Sequence, residues 1–178
     1  MTVFDFDERV VEAVMRFADK ERIEHLDAKL YNCLDAFPSP AKYDCFYTNP
    51  PWGASNAGES VKVFTQRGME AIGWQGEGLV VIADDNQLAW PQQVLARSQL
   101  FALENGFFVS KFQPKMHLYH LDDEPDLKSC NMFFRSVPGM NPPLAASEAI
   151  TDPDRLQNFY GKSKEPRVHY VREKKRLD

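Results

Sequence analysis

Apolar, β-prone runs in this chain stop on polar residues with unusual regularity. The run opening at Thr2 stops at Asp5, Ala28 to Leu34 at Asp35, Tyr43 to Thr48 at Asn49, and Gly78 to Ala83 at Asp84. Helical patterns lie between them. Val10, Val11, Val14, Phe17 and Ala18 recur at helical spacing behind Asp7-Glu8, where negative charge suits a helix N-terminus. Val61, Phe64, Gly68, Ala71 and Ile72 do the same within a helix expected from Glu59 to Ile72. A third helix is expected from about Leu88 to Glu104, with Pro91 in its first turn and Asn105-Gly106 as its stop. Gly78 to Ala83 is the cleanest buried strand, Leu-Val-Val-Ile between small residues. Phe107 to Phe112 and Ser129 to Val137 supply the last two strands, separated by a loop that contains His117 to Asp126. This alternation predicts an α/β domain: a mostly parallel sheet with helices on both faces. Ligands of such sheets bind beyond the carboxyl ends of the strands, which is where the polar residues collect.

The chain has 178 residues, enough for one domain with a proper core. After Val137 it turns proline-rich and then charged, so a domain over 1–137 and a tail over 138–178 are expected. No apolar run approaches the roughly 18 residues needed to span a bilayer. The start lacks a basic stretch followed by an apolar one, so no secretory signal is read there. The three cysteines, Cys33, Cys45 and Cys130, are odd in number and set inside apolar runs, which reads as reduced thiols rather than a disulfide or zinc site. A soluble, cytoplasmic protein is expected. Its net charge of -5 disfavours nucleic acid as the main partner, because phosphate neutralisation needs clustered Lys and Arg. Short acidic patches at Asp84-Asp85 and Asp122-Asp123-Glu124 suit a cationic small molecule, although solvated loop tips are the plainer reading.

Asn49-Pro50-Pro51-Trp52 carries the most chemistry. Two prolines fix the backbone after a strand and remove two N–H donors, leaving carbonyls free to accept. The Asn49 oxygen and the Pro50 carbonyl can then hold an amine through its N–H groups, with its lone pair aimed at an electrophile. Pro51 shapes the same corner, and Trp52 offers a flat face to an ammonium group. Asp5 stands where nucleotide-binding folds place an acid for ribose hydroxyls. Asp35 could reach an adenine amino group or be an ordinary turn residue. Asp84 and Asp85 could hold a polyamine ammonium, take up a proton, or cap the following helix. His117 and Asp122, in the His117-to-Asp123 stretch, are candidate substrate contacts or parts of a polar loop. Histidines at i,i+3 in a loop are a poor metal signature, and no metal ligands are assigned.

With these residues in view, the chain resembles the carboxyl-terminal catalytic domain of the branched-chain polyamine synthases, the N4-bis(aminopropyl)spermidine synthases. The resemblance lies in Val3 to Arg9, Tyr43 to Pro51, Arg67-Gly68-Met69-Glu70-Ala71 and Lys128 to Arg135. It implies a Rossmann-like methyltransferase fold and transfer of an aminopropyl group from decarboxylated S-adenosylmethionine to a polyamine nitrogen. Two departures stand out. The family usually has Asp where this chain has Asn49. Asn-Pro-Pro-aromatic is also a hallmark of methyltransferases acting on amine or amide nitrogen, so S-adenosylmethionine itself is the alternative donor. The first strand and the Gly-Asp-Asp-rich cofactor loop of such folds have no match here. A fragment, a misplaced start, or a non-catalytic remnant completed by another chain are the resulting expectations. The expected partners are a small polyamine and either a second copy of the chain or a separate segment supplying that strand.

Overall fold

The computed structural model describes residues 1–38, 43–119, 126–140 and 146–161. Two compact units are distinguished among them, one over Met1–Asp35 and the other from Ala36 onward.

The first unit is a single βαβ turn. β1 (Thr2–Asp5) and β2 (Asp27–Leu30) pair in parallel, joined by α1 (Glu8–Glu21). Asp7 caps α1 by accepting the Arg9 backbone N–H at 2.9 Å, and Arg22 closes it in the left-handed conformation. β2 ends at Leu30, short of the expected run to Leu34, because the backbone turns at Asn32: its carbonyl accepts from Asp35 N and its side chain accepts from Leu34 N. Asp35 therefore stands past a turn rather than at a strand end.

The second unit holds the larger sheet. β3 (Cys45–Thr48), β4 (Glu77–Ala83), β5 (Phe107–Tyr119) and β6 (Leu127–Ser136) lie in the order β3-β4-β6-β5. β3 and β4 are parallel, while β6 runs against both its neighbours. Alternate residues Val80 and Ile82 of β4 and Cys130, Met132 and Phe134 of β6 share one core with Phe107. α2 (Glu59–Ala71) and α3 (Ala89–Glu104) close that core through Val61, Met69, Val94 and Ala102. α3 ends as expected, with Asn105 as cap and Gly106 at φ 76°. Among the described residues β1 pairs only with β2, and β3 only with β4. No helix among them is long and apolar enough to cross a membrane.

A close contact fixes how β3 meets this core. The Phe46 ring lies between Gly68 of α2 and Gly78 of β4. A Cβ on Gly68 would come within 2.3 Å of the ring, and one on Gly78 within 2.1 Å. Neither glycine is needed for an unusual backbone angle; both are needed for space. The same turn of α2 carries a buried ion pair, Arg67 Nη1 to Glu70 Oε2 at 2.8 Å, with both side chains 4% exposed. Ser147 Oγ donates to Glu70 at 2.6 Å and accepts from Arg67 at 2.7 Å and from Phe37 N at 2.7 Å, while Arg67 Nη2 donates to the Glu148 carbonyl at 2.7 Å. Arg67-Gly68-Met69-Glu70 is thus a packing and clamping motif, which ties residues 37 and 147–148 to α2.

Gly68→Ala is expected to cost about 3 kcal/mol in denaturant melts, since the added Cβ would push the ring out of its close fit between Gly68 and Gly78. In a Phe46→Ala background the sign reverses, and the same change stabilises by about 0.5–1 kcal/mol through helix propensity. Additive effects in the two backgrounds would contradict the packing argument.

Candidate functional site

The carboxyl ends of β3, β4 and β5 lie at one end of the second unit's sheet. There Thr48 hands the chain to Asn49-Pro50-Pro51-Trp52. Pro50 is buried, Pro51 and Trp52 are half-buried, and Asn49 is exposed. The corner is anchored at its base: Trp52 Nε1 donates to the Val81 carbonyl of β4 at 3.1 Å. Trp52 meets Tyr119 edge to face, ring centroids 4.7 Å apart at 85°. Asn49 Nδ2 donates to Tyr119 Oη at 3.3 Å. The indole is therefore a braced wall of the site, and Asn49, exposed at the strand end, is linked to that wall through Tyr119.

The loop after Trp52 is tight and held from two sides. The Gly53 carbonyl accepts from Asn56 N and Gly58 N, and Gly53 has φ 72°, with no space for a Cβ beside Asn56. Residues from the carboxyl-terminal stretch cover it. Asn158 Nδ2 donates to the Ser55 carbonyl, Ser60 Oγ to the Phe159 carbonyl, and Arg155 pairs with Glu59. Phe159 is 1% exposed and stacks on Phe64. The short helix α4 (Pro153–Leu156), capped by Asp152, starts this strap.

The remaining candidates fall into distinct settings. Asp84 is 6% exposed and accepts the Lys115 backbone N–H at 2.9 Å. Asp85 is half-buried, and its Oδ1 accepts from Gln87 N at 2.8 Å on the approach to α3. His117 is exposed on β5, opposite Ser129. Asp122, together with His120 and the charged tail from Lys162, lies outside the described residues. In the first unit, Asp5 ends β1 and accepts from Asp7 N at 2.8 Å through Oδ1. Its Oδ2 has no partner among the described residues, which suits a ribose hydroxyl. Asp7 is the helix cap, and its hydrogen bond to Arg9 holds its carboxyl down at about 2. Asp35 is exposed. Among the described residues no group of three or more His, Cys, Asp or Glu is placed to hold a metal ion.

Tyr119 is the functional candidate that sequence reasoning missed. It lies in what reads as a polar loop and proves to be the last residue of β5, which runs seven residues past Phe112. The available signal was the alternation of His117 and Tyr119.

Comparison with known families now bears on this geometry. The family model of the branched-chain polyamine synthase A C-terminal domain matches residues 1–178. The chain belongs to this family. A curated relative, the Methanocaldococcus jannaschii protein MJ0675, is 26% identical over 121 residues, which is 67% of this chain and 28% of that protein. The chain thus spans under a third of that relative's length. Among solved structures, an S-adenosylmethionine-dependent methyltransferase from Methanosarcina mazei aligns with a TM-score of 0.57 at 7% identity, covering 76% of this chain and 81% of that one. The O-methyltransferase NcsB1 of neocarzinostatin biosynthesis, solved with S-adenosylmethionine and a naphthoic acid, aligns with a TM-score of 0.52 at 18% identity, covering 76% and 41%. These likenesses show the Rossmann-like methyltransferase fold. Within the polyamine synthase domain, the strand order β3-β4-β6-β5 with β6 reversed sets Asn49, Asp84 and Tyr119 toward the same end of the sheet.

Cys130 of β6 lies beneath this end of the sheet. Burial pushes its thiol up to about 12, and the charge of Asp84 adds to the effect. The folded state keeps this proton while the unfolded chain loses it near pH 8.5, so the contribution is whole below that pH and is lost between there and about 12. Stability is expected to fall through this window by up to about 1.4 kcal/mol per pH unit more in the wild type than in Cys130→Ala. Parallel pH profiles would contradict it.

Proposed function

We propose that this domain transfers an aminopropyl group from decarboxylated S-adenosylmethionine to a nitrogen of a polyamine. The observation that carries the reading is the Asn49-Pro50-Pro51-Trp52 corner, with an exposed amide on a strand end and an indole anchored to Val81 behind it. Asn49 Oδ1 and the Pro50 carbonyl accept the N–H groups of the acceptor amine and aim its lone pair. When bound, the sulfonium donor supplies an activated methylene. The nitrogen forms a bond to that carbon as the carbon–sulfur bond breaks, the thioether leaves with the electron pair, and the new ammonium releases one proton to water. Within the first unit taken by itself, Asp5 is the proposed contact for a ribose hydroxyl and Asp35 for an adenine amino group. Pro51 and His117 border the acceptor, and Asp85 and Asp122 attract its remaining ammonium groups. Asp84, too buried for direct contact, contributes its negative charge from below.

Family membership supports this assignment of substrate class. A second copy of the chain or a separate segment is the proposed macromolecular partner. A second reading draws on Asn49 itself. An amide before the proline pair also suits methyl transfer from S-adenosylmethionine to an amine or amide nitrogen. A third, a non-catalytic transferase-like domain, predicts no turnover with either donor.

Mass spectrometry of products made by the full-length protein from spermidine and each donor separates the three. An aminopropyl increment with the decarboxylated donor is expected, and a methyl increment would transfer the site to the second reading. Asn49→Ala is expected to lower kcat/KM by about 100-fold. As an exposed position it should move folding stability by no more than about 0.5 kcal/mol.

A further inference from the structure

The first unit leaves an apolar groove open along its helix. Only Ala18 of α1 is buried. Val10, Val14 and Phe17 recur at helical spacing, and with Met1, Val3 and Leu26 they line a groove of about 690 Å³. Val10 is 39% exposed and Phe17 53%. A parallel strand pair with one helix calls for a cover, because parallel strands are ordinarily buried on both faces and two strands alone are marginal in water. A contiguous apolar stripe in such a place marks a docking surface.

Charge selects the occupant. Residues 1–35 carry nine acids against five Lys and Arg, a net charge of -4 with histidine neutral. A second copy presenting the same face would set like charge against like charge. The stretch from Lys162 to Asp178 carries seven Lys and Arg against three acids, a net of +4. Within it Val168, Tyr170 and Val171 are apolar and lie between Arg167 and Arg172. Its seventeen residues follow directly on Gly161. Extended, they reach up to about 56 Å. A domain of this length has a radius of gyration of only about 16 Å. Because the stretch belongs to the same chain, it meets the groove at an effective concentration on the order of millimolar.

We propose that residues 167–171 dock in the apolar groove of the first unit, with Val168 and Tyr170 against Val10 and Phe17. The basic residues that follow, Arg172 and Lys174 to Arg176, then lie over the acidic surface of the same unit. The charged tail thereby becomes the cover of α1, a task separate from the amine site.

The test is hydrogen exchange of the α1 amides, followed by mass spectrometry in the full chain. Val168→Asp combined with Tyr170→Asp alters no described residue. It is expected to speed exchange across α1 by about 10-fold and to leave β4 and β6 within about 2-fold. Removal of residues 162–178 should have the same effect. A synthetic peptide of those residues should restore protection to the shortened chain, and a peptide carrying both Asp substitutions should not. Unchanged α1 exchange in the doubly substituted full chain overturns the proposal, as does an equal acceleration in β4 and β6. If α1 protection in the unsubstituted protein rises with protein concentration as sedimentation reveals a dimer, a second copy fills the groove and the proposal fails.

Discussion

The slot between Gly68 and Gly78 that admits the Phe46 ring governs the rest of the second unit. It brings α2 against the sheet at a distance that no Cβ permits, and it fixes β3 on β4. Three residues later that strand delivers Asn49. A shift of β3 by one residue would exchange Phe46 for an exposed neighbour, Cys45 or Tyr47, and would turn Asn49 away. The buried Arg67–Glu70 pair, one residue to either side of Gly68-Met69, locks the same turn to Ser147 and Glu148. Isolated buried pairs add little net stability, yet losing one partner is costly. This one therefore acts chiefly as a specifier of where residues 147–148 sit.

Rigidity then passes outward from core to corner. Trp52 is pinned by Val81, Tyr119 by Trp52, and the Asn49 amide by Tyr119. On the far side of the loop, Ser55, Glu59 and Ser60 are held by residues 155–159. An exposed polar group on a stiff frame suits a reaction whose barrier depends on aiming a lone pair, because little entropy remains to be lost when substrate binds.

Much of this was legible from the residues. The buried strand from Gly78 to Ala83, the helices around Val61–Ala71 and Val94–Ala102, and the polar strand ends at Asp5 and Asn49 all express local periodicity, and the structure places them within a residue or two. The misses are non-local. β5 contains Pro114 and Lys115 and carries two bulges, so its outer half reads as a loop until β6 is seen to pair with it. The reversed direction of β6 leaves no mark on its own apolar pattern. Asp84 looks like a ligand-facing acid because it ends a strand, and only the Lys115 N–H explains why a carboxylate is buried there. Asp35 looked like a strand end because the turn at Asn32 is made by backbone and amide groups that apolarity does not report.

Whether the bis-prolyl corner holds an amine is decided by a crystal structure of the full-length protein with spermidine and the thioether product. One spermidine nitrogen is expected within hydrogen-bonding distance of both Asn49 Oδ1 and the Pro50 carbonyl, with the product sulfur beyond it. A polyamine bound elsewhere, with the Asn49 oxygen turned to Tyr119, would contradict it.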